Sequence, residues 1–171
     1  MTTYPYRYLA EGAIRYMETY IQTNIGSALD NVAQNVGTPK VSLEAPRSYF
    51  YYEQPQAYEC PAIILVMDDM DFKIEERKSN FLNAQDRINV SVVVEDQDKD
   101  TVVVKAWRYQ SALHYVLDEA TITSSDSAMN LRCVVQRARF SDTYQLEEDR
   151  GPGSFRKEVL LECGVTHLEK Y

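Results

Sequence analysis

The stretch from 88 to 120 constrains the fold more than any other. Ile88, Val90, Val92 and Val94 alternate with Asn89, Ser91 and Val93. That period of two predicts a strand with one buried face. The acidic run Glu-Asp-Gln-Asp-Lys-Asp at 95–100 breaks it. A second period then starts, with Val102, Ala106, Tyr109, Leu113, Val116, Leu117 and Ala120 recurring at steps of three and four. These residues form one stripe of a helix about five turns long. A strand that feeds a helix directly, each with one apolar side, predicts a helix layer packed on a sheet. The fold class expected is α+β.

The rest of the chain supplies the other layers. A helix is expected over about 5–36, on the stripe Ala13, Ile14, Met17, Ile21, Ile25, Ala28, Leu29 and Val32. Gly37 suits the residue just past its end, and Pro39 prevents continuation. Gly26 weakens the middle of this helix. Residues 38–60 hold Pro39, Pro46, Pro55 and the tyrosines 49, 51, 52 and 58. They read as an irregular insert with a short strand near 48–52. Long irregular segments usually carry function; ordinary packing over the sheet edge is the alternative. Pro61 opens a strand over 62–68. Asp69-Met70-Asp71 makes a turn or bulge, and 72–76 continues the strand, so 61–76 pairs with 82–95 as a long antiparallel hairpin. After the helix at 100–120, residues 131–140 alternate around Cys133, Val135, Arg137 and Arg139, and 155–167 around Val159, Leu161 and Cys163. The Gly/Pro-rich turn 149–154 joins them in a second hairpin, 131–167. The expected architecture is one domain, 1–171, in the order α-β-β-α-β-β. Its sheet is mixed or antiparallel, built of long hairpins, with helices packed on one face.

Several chemistries are disfavoured. A net charge of −8 repels nucleic acid. The longest apolar run, 62–67, is too short for a bilayer, and no signal peptide is visible. Three scattered cysteines and two histidines, with no close Cys pair, argue against a disulfide scaffold or structural zinc. Asp96, Asp98 and Asp100 have calcium-loop spacing, but Thr101 stands where that loop needs Gly and Trp107 where it needs Glu. They read as a helix cap. His114 and His167 are not placed together, the serines at 124, 125 and 127 lack a nucleophile elbow, and no Gly-rich phosphate loop occurs. Asp71-Phe72-Lys73 matches the Asp-x-Lys pattern of metal-dependent nucleases. Paired carboxylates at Asp68, Asp69, Asp71 and Glu75 would suit magnesium and phosphoryl transfer. The motif is short, so an acidic surface at Asp68, Asp69 and Asp71 is the preferred reading, with no catalytic residue, metal or cofactor.

One combination points further. A long N-terminal helix precedes a strand entered through Pro61. A second strand ends in Glu95-Asp96, a helix carries Trp-Arg-Tyr-Gln-Ser-Ala-Leu-His-Tyr-Val-Leu at 107–117, and two late strands follow. In this order and texture, over residues 9–168, the chain resembles the tail terminator (tail completion, head–tail joining) proteins of tailed bacteriophages. The insert 38–60 departs from that pattern. The resemblance implies a non-enzymatic α/β wedge that closes into a homo-oligomeric ring, a hexamer, in the virion neck after synthesis in the bacterial cytoplasm. Such a ring caps the tail-tube protein, ends its polymerisation and docks the head connector protein. DNA passes through its bore without sequence recognition, which an acidic bore suits, and no membrane is involved. Another neck, connector or minor tail protein is the nearest alternative. Tyrosine is enriched at interfaces, so Tyr49, Tyr51, Tyr52 and Tyr58 are the expected contact residues. Strand alternation puts Tyr49 and Tyr51 on one face and Phe50 and Tyr52 on the other.

Overall fold

The computed structural model describes residues 9–51, 58–73, 81–146 and 153–170. The chain runs α1 (Leu9–Asn35), β1 (Ser48–Tyr51), β2 (Ala62–Phe72), β3 (Phe81–Asp96), α2 (Lys99–Leu117), β4 (Thr121–Thr123), β5 (Met129–Phe140), β6 (Tyr144–Gln145) and β7 (Phe155–Lys170). The long elements keep the expected α-β-β-α-β-β order. The start of the expected first helix, residues 5–8, lies outside the described residues. Gly37 has φ +30, a conformation that glycine adopts without strain just beyond the last turn.

The sheet order is β1-β2-β3-β7-β5-β4, with β6 also paired to β7. Every pairing is antiparallel except β1–β2, which is parallel. Both expected hairpins form, β2 with β3 and β5 with β7, and they lie side by side in one sheet. β7 runs between β3 and β5 and pairs with β3 from Phe81↔Lys170 to Asp96↔Phe155. The result is a curled sheet, a half-barrel, with both helices on one face.

Alternation builds the core. Ile63 and Leu65, then Ile88, Val90, Val92 and Val94, then Val159, Leu161, Cys163 and Val165 point at the helices. Met17, Ile21 and Ile25 of α1 and Val102, Ala106, Leu113 and Leu117 of α2 close over them. Each fully buried aliphatic side chain contributes about 1.5–3 kcal/mol. Asp98 caps α2 by accepting from Thr101 N at 2.7 Å. At the other end Asp118 Oδ1 accepts from Val135 N at 3.1 Å, tying the helix to β5. Tyr109, 1% exposed, receives the N–H of Glu44 at 3.1 Å on its hydroxyl and donates to the Glu44 carbonyl. The Arg108 guanidinium donates to the Pro39 carbonyl. These two side chains pin the start of the insert over α2.

Two bulges change which face the later part of a strand presents. The register of β2 shifts between Met67 and Asp69, and that of β5 between Val135 and Arg137. An extra residue moves every following side chain to the opposite face. Asp69 and Asp71 therefore leave the face of Ile63 and Leu65. Arg137 and Arg139 likewise leave the face of Cys133 and Val135, with which their spacing in sequence had grouped them.

Candidate functional site

Asp68, Asp69 and Asp71 lie on the outer half of β2 and are all exposed. Asp68 sits in the bulge, 3.8 Å from Arg87. The Asp69 carboxylate accepts the N–H of Met70 at 2.9 Å. Asp69 is opposite Arg87 and Asp71 opposite Gln85, on the sheet face away from the helices. Glu75, the fourth carboxylate of the phosphoryl-transfer alternative, lies outside the described residues. Among the described residues no three His, Cys, Asp or Glu side chains are arranged to hold a metal ion. The calcium-like aspartates are engaged by the helix start. Asp96 accepts from Asp98 N at 3.0 Å and pairs with Lys105 at 2.6 Å. Burial pushes its carboxyl up, but those donors outweigh burial and hold it below the usual range.

The tyrosines divide between two faces of β1. Tyr49 and Tyr51 pack against the core beside α1. The Tyr51 hydroxyl donates to Glu18, and the Arg15 guanidinium lies 6.0 Å from its ring centroid. The bond to Glu18 holds the Tyr51 phenol above its ordinary range, aided by burial. Burial, then the Glu18 charge, pushes Tyr49 up to about 12. Phe50 points the other way and meets Tyr58 edge-on, with centroids 5.4 Å apart. Tyr58 in turn carries the Arg156 guanidinium 4.6 Å from its centroid. Arg156 also holds Glu95 Oε2 through Nε and an Nη nitrogen, each at 2.8 Å. Tyr58, Cys60, Glu95 and Arg156 line a cleft of about 790 Å³. Tyr52 lies outside the described residues.

Both ends of the sheet leave strand edge uncovered among the described residues. β1 covers β2 only from Ala62 to Leu65, so residues 66–72 have no partner on that side. A cavity of about 500 Å³ opens there between α1 and β2, lined by Ala10, Ile14, Tyr51, Leu65 and Met67 among others. β4 covers β5 only from Asn130 to Arg132. Beyond Val135, the outer edge of β5 presents Arg137, Arg139 and Phe140, the last 43% exposed.

Sequence reasoning missed one polar group. Asp86, His167 and Glu169 all point into the core at the α1 end of the sheet. His167 Nδ1 is 3.0 Å from Asp86 Oδ2, and Nε2 is 3.3 Å from Glu169 Oε2, with all three side chains at 0% exposure. Glu169 Oε2 also accepts the N–H of Leu9 at 2.9 Å, at the first turn of α1. The carboxylates face opposite ring nitrogens, so one metal ion cannot be shared by all three side chains. The signal was present: extending the alternation Val159, Leu161, Cys163, Val165 by two steps gives His167 and Glu169. His114 is exposed in the last turn of α2 and takes no part in this group.

No protein-family model and no curated protein matches the sequence. A chain in a solved structure titled as the virion of a native gene transfer agent particle is 16% identical, covering 85% of this chain and 94% of that one. Its TM-score is 0.35, a likeness too loose to carry an argument. No helix among the described residues is long and apolar enough to cross a membrane.

Proposed function

We propose that this chain is a non-enzymatic structural protein of a tailed-phage-like virion, a tail terminator that closes into a ring on the tail tube. The observation that carries the reading is the pair of unlike edges left open among the described residues, β2 on one side of the sheet and β5 on the other. A subunit with two different adhesive edges joins head to tail, and head-to-tail contacts make a ring where the rotation between neighbours closes and an open filament where it does not. The α-β-β-α-β-β order shared with tail terminators supports the same reading. In it, the parts of Tyr49, Tyr51 and Tyr58 left uncovered by the core, and the exposed carboxylates of Asp68, Asp69 and Asp71, meet neighbouring subunits, the tube protein or the head connector. Net negative charge keeps passing DNA from adhering to the bore. Hexameric closure is part of the proposal.

Polymerising a tail-tube protein with and without this chain tests it. Under the proposal, substoichiometric addition stops tube growth, and electron microscopy finds a ring at one tube end. Unchanged tube lengths with no bound ring would remove the tail-terminator assignment.

A further inference from the structure

The two edges left open among the described residues are complementary in direction and charge. On β2 the bulge turns Asp69 and Asp71 to the helix-free face; on β5 the other bulge turns Arg137 and Arg139 to that same face. Asp71 and Arg137 have no ion-pair partner among the described residues. Arg139 contacts Glu162 at 2.6 Å and retains a half-exposed side chain. On the helix-side face the order is reversed from polar to apolar. β5 offers Ala138 and the exposed Phe140, and β2 offers Met67 beside the 500 Å³ cavity. The four long strands alternate in direction from β2 through β3 and β7 to β5. A neighbour rotated about an axis along the strands therefore presents β5 antiparallel to β2. Uncovered edges are adhesive because each carries unpaired N–H and C=O groups.

We propose that copies of this chain join by strand addition, the outer edge of β5 in one copy pairing antiparallel with the outer edge of β2 in the next. The inference rests on the ring-forming reading above and specifies its joint. Opposite charges directly across an antiparallel pair are favourable. Setting Arg137 opposite Asp71 and Arg139 opposite Asp69 places Ala138 opposite Met70. The same register brings Phe140 to the β2 bulge beside Met67, at the mouth of the cavity between α1 and the sheet. One register thus satisfies the charged face and the apolar face together.

Charge reversal tests the joint, with native mass spectrometry and sedimentation as readouts. Asp69→Arg with Asp71→Arg, and separately Arg137→Asp with Arg139→Asp, each weaken self-association at least about ten-fold. The four substitutions combined recover most of it, because each edge again meets its opposite charge. Asp71→Asn and Arg137→Gln provide milder variants should a reversal disturb folding, and thermal melts identify such cases. Met70→Cys with Ala138→Cys, in a Cys60→Ser background, yields a disulfide-linked ladder of subunits on oxidation, since facing Cβ atoms approach bridging distance. Oligomers unaffected by every edge substitution and yielding no ladder overturn the joint while leaving a ring on the tube possible. A wild-type chain monomeric at all concentrations also overturns it. Tube capping, measured separately, decides the functional reading.

Discussion

Replacing Gly26 with alanine is expected to stabilise the protein. Gly26 lies inside α1, well away from either end of Leu9–Asn35. Its backbone is not in the left-handed region, and a Cβ built there meets nothing within 4 Å. Steric cost is therefore absent. What remains is the helix preference, about 0.8–1 kcal/mol in favour of Ala, largely because the unfolded chain loses freedom. For 171 residues the unfolding entropy is about 360 cal/mol/K. The melting temperature should rise by about 2–3 °C at unchanged cooperativity. Differential scanning calorimetry of Gly26→Ala beside wild type measures this, with a sizing run on both proteins. An unchanged or lower melting temperature refutes the reasoning. If the fall accompanied loss of oligomer, Gly26 would be a close-approach point for another chain rather than a defect in an exposed helix.

His167→Ala should cost about 3–5 kcal/mol, because it leaves the Asp86 and Glu169 carboxylates buried without the imidazole between them; urea unfolding measures it, and a loss under 1 kcal/mol would contradict the buried arrangement. Burial pushes Tyr49 and Tyr58 up to about 12 and Tyr109 higher still. A tyrosine with a raised folded pKa contributes stability that is complete below its unfolded value near 10 and lost as pH rises through the folded value. Stability should accordingly decline between about pH 10 and pH 12, together with delayed tyrosinate absorbance; tyrosines that all titrate near 10 in the folded protein would count against it. Tyr51→Phe removes the hydroxyl that donates to Glu18 and should lower stability by about 1 kcal/mol without changing the secondary structure seen by circular dichroism. No change in melting temperature would mean that this bond does not hold α1 to the sheet edge.

The periodic stretches were legible because a side chain's face within its own element depends only on local geometry. Steps of three and four in 102–117 and steps of two in 88–94 became α2 and β3, and their apolar residues became core. Gly37 and Asp98 marked helix ends for equally local reasons: one tolerates positive φ, the other supplies an acceptor to a free N–H. The short strand within the insert was also visible, as β1.

Partner choice was legible only within each hairpin, where consecutive long strands pair as expected, β2 with β3 and β5 with β7. A period of two says that a strand has an inner face but not which strand lies beside it. Only the tertiary structure joined the two hairpins through β3 and β7 and laid β1 parallel to β2. Bulges are equally hidden, since an inserted residue leaves the sequence alternating as before while the backbone reverses its faces. That is why Arg137 and Arg139 read as companions of Val135 yet share a face with Asp69 and Asp71. It is also why the proposed joint required three dimensions to be seen. The group at Asp86, His167 and Glu169 combines the two cases. Alternation along β7 fixed the inward direction of His167 and Glu169, but bringing Asp86 to the same ring needed a neighbouring strand 81 positions away in sequence. Local sterics set direction along each element, and the packing of distant elements set company.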